Sequence, residues 1–438
     1  MSAFNIKLKQ SLLRKGQGFI YLAKKNGQHV FMHGDRDDIK LDSIDAESVI
    51  AIKYVGSESL YIGFKNNFAT LFSKTVKQVF TLGDVTVLFD EETGYIKYSQ
   101  GAPLLAKKKI LIVDDSKTIQ KLLSNIISSS QQMEVVGVAS CPSEAKKFLE
   151  NNEVDLITLD IHMPEMNGVE FLKTYLKFLN KKVVMISAVT PSEGPLVMDA
   201  LSNGAVTYIQ KPDIDNLHEL QKDIIEKIEC IFTSTSTLDV KKSIFSGDFK
   251  HQDGLIAIGS STGGTQALEA ILTALPAKIP PIVIVQHIPP IFSKALADRL
   301  STLCRFNVCE ATHGMEILAN NVYIAPGGMQ MKVSGNKSRM SLVVNEDPPV
   351  NRFRPSVDYL FDSISQVKGL NCVAVILTGM GKDGAQGLLK LKNSGAKTIA
   401  QDEKSCVVFG MPKEAIKLGA ADVVLPLSSI ARELALKF

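Results

Sequence analysis

The sequence predicts an α/β protein: two doubly wound parallel-sheet domains preceded by a small β-rich domain. Three observations lead to this. The first hundred residues are short apolar runs separated by turn signals. From Ile110 onward, apolar strand patterns alternate with helically spaced apolar residues, and they do so in two successive series. A Ser/Thr-rich stretch without periodicity separates the two series. The 438 residues suit roughly three domains by length. The expected division is 1–105, 106–230, a linker over 231–252, and 253–438.

In the first region, Phe19–Ala23 and His29–Met32 flank Lys24-Lys25-Asn26-Gly27-Gln28, and Asn-Gly between apolar runs marks a hairpin. A second hairpin is expected at Asn66-Asn67 and a third at Glu92-Thr93-Gly94, between Val85–Phe89 and Tyr95–Tyr98. The aromatic residues (Phe19, Tyr21, Phe31, Tyr54, Tyr61, Phe64, Phe68, Phe72) fall largely on these strand patterns and are expected in the core. A docking or localisation role is the functional guess for this region. Gly101-Ala102-Pro103 and Lys107-Lys108-Lys109 mark its end.

The second region opens on Ile110–Val113, followed by Ile119, Leu122, Leu123, Ile126 and Ile127 at helical spacing. Further strands are expected at Val135–Val138, Leu156–Leu159, Val183–Ile186 and Val206–Ile209. After the Thr233–Thr237 tract, a third region places strands at Leu255–Ile258, Ile282–Val285, Asn321–Ala325 and Val373–Leu377.

Composition narrows the function classes. Forty-nine basic and 46 acidic side chains sum to +3, too little and too evenly spread to point to nucleic acid or a membrane surface. The six cysteines include no Cys-x-x-Cys pair and no zinc-finger spacing, so free thiols in a reducing compartment are expected. The N-terminus has no apolar segment of signal-peptide length, and no run elsewhere is long enough to span a bilayer. A cytoplasmic protein without direct membrane insertion is expected.

Open α/β sheets place their sites beyond the carboxyl ends of the strands. In the second region those positions hold Asp114, Asp115, Asp160, Ser187 and Lys211-Pro212. Three carboxylates converging on one crevice repel unless a cation lies among them, and Mg²⁺ suits an all-oxygen set. Lys211 adds positive charge and Ser187 a hydroxyl, and a carboxylate there can accept a phosphoryl group as an acyl phosphate. Val113-Asp114-Asp115-Ser116, Leu159-Asp160-Ile161-His162-Met163-Pro164-Glu165-Met166-Asn167-Gly168 and Lys211-Pro212 together resemble the receiver domain of two-component response regulators. The resemblance implies Asp160 as phospho-acceptor, Asp114, Asp115 and Asp160 around Mg²⁺, Ser187 as switch hydroxyl, Tyr208 as switch aromatic and Lys211 as phosphate-binding lysine.

In the third region, Leu255–Ile258 runs into Gly259-Ser260-Ser261-Thr262-Gly263-Gly264-Thr265 and then a helical pattern. A serine between glycines on a strand-to-helix turn is a nucleophile-elbow arrangement, though the same pattern serves phosphate- or dinucleotide-binding turns and plain connections. A dinucleotide turn wants glycine where Ser261 stands and an acid where Gln286 and His287 stand. His287 after Ile282–Val285 and Asp383 after Val373–Leu377 reach the same sheet edge as Ser261. An imidazole there can take the serine proton and a carboxylate can hold the imidazole.

The order Ser, His, Asp differs from that of α/β-hydrolases. Ile258–Thr265, Gln286-His287-Ile288-Pro289-Pro290 and Leu377–Ala385 instead resemble the catalytic domain of the chemotaxis methylesterase family. That resemblance implies Ser261 as nucleophile, His287 as base and acid, Asp383 as its orienting partner, and Met380 and Thr262 lining an oxyanion site. It further implies a phosphorylation-activated protein-glutamate methylesterase, able also to deamidate glutamines, with no cofactor for the ester chemistry. Methylated chemoreceptors are the implied substrate and a chemotaxis histidine kinase the phosphodonor. A phosphorylation-dependent binding protein with a vestigial esterase, or a receiver-controlled hydrolase of another ester, are the alternatives. The extension before the receiver departs from the family layout.

Overall fold

The computed structural model describes the strands between residues 4 and 100 and, beyond them, residues 107–179, 181–188, 190–211, 217–233, 249 and 253–437. The chain divides into two compact units, Met1–Ala106 and Lys107–Phe438.

The described elements of the first unit are β1 (Phe4–Lys7), β2 (Gln17–Lys25), β3 (Gln28–Gly34), β4 (Ser48–Val55), β5 (Ser59–Phe64), β6 (Asn67–Leu71), β7 (Gln78–Leu82), β8 (Val85–Asp90) and β9 (Tyr95–Gln100). They form antiparallel sheets ordered β3-β2-β4-β5-β6 and β1-β9-β8-β7. Lys25 pairs with Gln28 and Asp90 with Tyr95, the registers expected of the first and third hairpins. Phe64 pairs with Asn67, so Asn67 opens a strand instead of forming part of the second turn. The aromatic side chains expected in this core lie outside the described residues.

The second unit begins with β10 (Lys108–Val113), α1 (Lys117–Ser128), β11 (Met133–Ala139), α2 (Pro142–Asn151), β12 (Leu156–Asp160), α3 (Gly168–Thr174), β13 (Lys182–Ser187), α4 (Gly194–Ser202), β14 (Thr207–Gln210) and α5 (Leu217–Thr233). The sheet is parallel in the order β11-β10-β12-β13-β14. Its central strands are continuous apolar runs because helices cover both faces. On one face Leu123, Ile126 and Ile127 of α1 pack with Ile224, Ile228 and Ile231 of α5. Ser116 starts α1 by accepting a hydrogen bond from the Ile119 amide. Helix α5 runs to Thr233, and Ile231 is buried in this core, although the sequence places 231 in the linker.

The unit continues with β15 (Leu255–Ser260), α6 (Gly264–Ala274), β16 (Ile282–Gln286), α7 (Pro290–Leu303), β17 (Asn307–Glu310), β18 (Asn321–Ile324), β19 (Gln330–Asn336), β20 (Arg339–Asn345), α8 (Val357–Ser365), β21 (Cys372–Ile376), α9 (Ala385–Asn393), β22 (Lys397–Gln401), α10 (Met411–Lys417), β23 (Val423–Leu425) and α11 (Leu427–Lys437). Seven strands lie parallel in the order β17-β18-β16-β15-β21-β22-β23, and β19-β20 is a separate antiparallel pair. The chain winds outward from β15 through β16, then crosses back to place β21 on β15's other side. That reversal opens a crevice at the carboxyl ends of β15, β16 and β21. Among the described residues no helix is long and apolar enough to cross a membrane.

Close approach of α8 to β15 depends on a missing side chain. A Cβ on Gly259 would lie 2.2 Å from Val357 Cγ1. Gly259→Ala should therefore destabilise the protein by about 1–3 kcal/mol in urea unfolding. Val357→Ala in the same chain should recover part of that loss; a purely additive double variant would show that the two positions do not clash.

Candidate active site

Ser261 follows the last residue of β15, where the chain turns into α6. Gly263 sits at the helix N-cap with φ +78°, the left-handed region that glycine enters without a Cβ penalty. The turn is held on several sides. The Ser261 amide donates to Thr378 O at 3.0 Å, and Ser261 O accepts from the Gly264 amide at 2.7 Å and from Gln286 Nε2 at 2.8 Å. Gln286 Oε1 accepts from the buried Ser260 hydroxyl at 2.6 Å. A Cβ on Gly379 would lie 2.7 Å from Ser261 Cβ, so glycine there lets the β21 loop close over the turn.

His287 follows β16, its amide donating to Ser260 O at 3.0 Å. Its Nε2 is 2.9 Å from Asp383 Oδ2. An ionised carboxylate only accepts, so Nε2 carries the proton and Nδ1 is the basic nitrogen. Nδ1 is buried without a hydrogen-bond partner. The Ser261 hydroxyl makes no hydrogen bond among the described residues; in apo enzymes such contacts often tighten only when substrate binds.

Asp383 is fully buried. Its carboxylate also accepts from Asn351 Nδ2 at 2.8 Å, Ser356 Oγ at 2.8 Å, the Val357 amide at 2.7 Å and the Asp358 amide at 3.4 Å. Burial pushes this carboxyl up. Hydrogen bonds and charge from His287, with the Asn351 and Val357 donors, outweigh burial and hold it below the ordinary value.

Four of these contacts come from a segment that sequence reasoning passed over. Val350 and Phe353 exchange backbone hydrogen bonds at 3.1 and 2.9 Å across Asn351 and Arg352, whose φ angles are +53° and +72°. A two-residue turn with both central residues left-handed usually announces itself as Asn-Gly; Asn-Arg carries no such signal. The turn stacks Phe353 on the His287 ring, with centroids 3.8 Å apart and planes 6° from parallel. It also lets Asn351 Nδ2 donate to Asp358 Oδ2 at 2.7 Å, placing one amide between two carboxylates. Burial, aided by the Asp383 charge, pushes Asp358 up.

The acidic pocket lies beyond β10, β12 and β14. Asp114, Asp115 and Asp160 offer carboxylate oxygens within 4.8 Å of one another; the first and last are buried and Asp115 is exposed. Lys211 Nζ stands 2.8 Å from Asp160 Oδ2 and 3.4 Å from Asp114 Oδ2. These are ion-pair contacts, and neither oxygen has a partner in good hydrogen-bond geometry. Burial and the Asp160 charge push Asp114 up to about 6, and burial also raises Asp160. Burial would lower Lys211, but the two carboxylates hold it above its usual value. A buried carboxylate pair facing one lysine, with ligand-free oxygens, fits a hard divalent cation. Ser187 is buried at the end of β13 and donates to Glu193 Oε2 at 2.7 Å. The other oxygen of Glu193 is 3.2 Å from His162 Nε2.

The two parallel-sheet regions that carry these sites pack on one another. Gln266 of α6 donates to Ala205 O at 2.7 Å and Leu201 O at 3.3 Å, and Ser202 donates to Glu269 at 3.0 Å. Tyr208 meets Phe292 of α7 edge-on, with ring centroids 5.0 Å apart. Between the two sheets of this unit lies a cavity of about 270 Å³, lined by Ser261, Thr262, His287 and Met380 from the second sheet's segment and by Tyr208 and Gln210 from the first. Every candidate residue of the ester site that the sequence singled out therefore reaches the cavity or, for Asp383, the ring that lines it.

A receiver-type acidic pocket on one parallel sheet, and Ser261, His287 and Asp383 gathered at the crevice of a second sheet packed on the first, define the class: a hydrolase joined to a receiver domain. The family model for the response regulator receiver domain matches residues 110–222, and that for CheB methylesterase matches residues 256–434. The chain is 41% identical over 343 residues to protein-glutamate methylesterase/protein-glutamine glutaminase 1 of Geobacter metallireducens, covering 74% of this chain and 94% of that one. A Bordetella parapertussis protein-glutamate methylesterase/protein-glutamine glutaminase is 42% identical over 345 residues, covering 75% and 97%. Among solved structures, the Thermotoga maritima CheB methylesterase catalytic domain is 42% identical, covers 42% of this chain and 98% of its own, and has a TM-score of 0.41. The chain belongs to the CheB protein-glutamate methylesterase/protein-glutamine glutaminase family. Both family models begin after residue 109.

The depressed Asp383 value makes a pH-dependent contribution to stability. It is fully present above the unfolded value of about 3.9 and is lost as pH falls through the lower folded value. Asp383→Asn should cost about 1–3 kcal/mol at pH 6 in urea unfolding, and its gap from the wild type should narrow below pH 4. An equal gap at pH 3 and pH 6 would contradict an ionised buried carboxylate.

Proposed function

We propose that this chain hydrolyses glutamate γ-methyl esters on the cytoplasmic helices of chemoreceptors, and deamidates receptor glutamines, under control of phosphorylation at Asp160. The observation that carries the reading is the buried His287–Asp383 pair, whose proton-bearing Nε2 leaves Nδ1 as the only basic ring nitrogen beside the Ser261 turn. Ser261 Oγ attacks the ester carbonyl as Nδ1 takes its proton. The resulting imidazolium is stabilised by Asp383, and it returns the proton to the departing methoxide, giving methanol and an acyl-enzyme. Water, deprotonated by Nδ1, then attacks the acyl carbon and releases glutamate and free Ser261. For a glutamine the leaving group is ammonia.

The Ser261 amide is committed to Thr378 O, so it does not serve the oxyanion. The Thr262 and Met380 amides are the donors assigned to it, since both residues line the cavity. Gln286 keeps the turn rigid while charge develops on the substrate.

The receiver residues 106–230 and the esterase residues 253–438 are the working domains in this reading. A chemotaxis histidine kinase is the assigned phosphodonor. Asp114, Asp115 and Asp160 would hold Mg²⁺, which when bound neutralises charge on the phosphoryl oxygens. Lys211 binds the phosphoryl group through its ammonium. Drawing the Ser187 hydroxyl to a phosphoryl oxygen on Asp160 breaks its bond to Glu193, the residue before α4. Helix α4 packs on α6 and α7, so that change bears on the contacts that close the ester site.

Ser261→Ala should abolish methanol release from methylated receptor, a loss of several orders of magnitude, with an unchanged circular dichroism spectrum. Retained release would assign the chemistry elsewhere. Asp160→Asn should lose kinase-stimulated release while keeping the basal rate; full stimulation in that variant would sink the control scheme.

A further inference from the structure

We propose that Arg352 and Arg354 form a cationic rim that binds carboxylates flanking the reacting side chain, so that the site selects acidic segments of its protein substrate. The proposal rests on the methylesterase reading and names what that reading leaves open, the surroundings of the ester.

Both arginines line the cavity that holds Ser261 and His287, and both are exposed. Arg299 and Arg339 pair with Glu269 and Glu316 at 3.3 and 3.1 Å. Among the described residues, Arg352 and Arg354 have no carboxylate within 4 Å. Arg354 Nη1 reaches only the Glu346 carbonyl, at 3.3 Å. The acidic residue that shares the cavity, Asp223 of α5, is already paired with Lys227 at 2.8 Å. Among the described residues, the receiver therefore brings no spare negative charge to the cavity.

The placement of these arginines is built, and it carries a cost. Arg352 takes φ +72° in the two-residue turn, a conformation that penalises a residue with a Cβ by about 1–2 kcal/mol. The same turn stacks Phe353 on His287 and ties Asn351 to Asp383. The backbone that carries both arginines is thus fixed relative to the His287 ring, as a specificity element requires.

The reaction itself does not call for them. A methyl ester or a primary amide is neutral, and backbone amides answer the oxyanion. Two unpaired guanidinium groups at the mouth point to anions beyond the reacting group. On a protein substrate those are Asp and Glu carboxylates, which the guanidinium fork accepts bidentately.

The test uses the phosphorylated full-length chain and a methylated chemoreceptor cytoplasmic fragment in two forms. In one form, acidic residues within two helical turns of the esterified glutamate are retained; in the other they are changed to glutamine. Methanol release should give a kcat/KM on the order of tenfold higher for the acidic form, each rim contact contributing a factor of about three. The difference should lie in KM and shrink between 0.05 and 0.5 M salt, roughly a threefold change in screening length. In Arg352→Glu/Arg354→Glu the preference should reverse, and in Arg352→Lys/Arg354→Lys it should be partly kept. Equal rates on both forms, or a preference that survives charge reversal, would overturn the rim. Hydrolysis of neither form by the wild type would overturn the methylesterase reading itself.

Discussion

A carboxylate with no solvent contact has to be answered by donors, and Asp383 draws five of them, one from His287 and four from the segment 351–358. Leaving such a charge unpaired in the interior costs several kcal/mol. That demand fixes the start of α8 through the Val357 amide and the Ser356 hydroxyl. It fixes the turn at Asn351 through a side-chain amide, and it fixes the tautomer of His287 through Nε2. Much of the ester site follows from satisfying this one group. The left-handed backbone at Asn351 and Arg352 is tolerated because the contacts it permits, on Asp383 and on the His287 ring, are made nowhere else.

The second acidic centre follows the opposite logic. Asp114 and Asp160 are buried with one lysine between them and oxygens left over, and burial raises their proton affinity where hydrogen bonding lowers that of Asp383. One buried carboxylate is held ionised by a full set of donors, the His287 ring among them. The other pair is under-compensated and is suited to take up a cation and a phosphoryl group. Glu193 links this centre to α4, whose face packs on the helices that carry the serine turn. The apolar cluster joining the two sheets is continuous through that face, so a change at Ser187 acts on a packed interface and not on a flexible tether.

Most of the second unit's architecture is legible in the residue pattern. Continuous apolar runs such as Ile110–Val113 and Leu255–Ile258 have no polar alternation to confuse their reading, because both faces of a parallel sheet are covered. Several short strands of the last sheet carry a weaker pattern and are not among the expected ones. Asn307–Glu310 and Val423–Leu425 are short edge strands, and β19 and β20 form a hairpin outside the main sheet. Helix α5 carries Ile231 into the core and ends at Thr233, where the Ser/Thr-rich tract begins. Asn351 and Phe353 escaped notice since an Asn-Arg turn has no local signature and its worth lies in partners some 30 to 70 positions away.

What the sequence by itself determined was the order of strands and helices and the residues at the strand ends: Asp114, Asp160, Lys211, Ser261, His287 and Asp383. Those positions are set by local periodicity and by where each strand must stop. Which ring nitrogen of His287 faces Asp383, that the Ser261 amide is taken up by Thr378 O, and that Ser187 rests on Glu193 were decided only by the tertiary structure. Hydrogen-bond donors and buried charge are allotted among distant segments when the chain packs, and no local pattern of residues records that allotment.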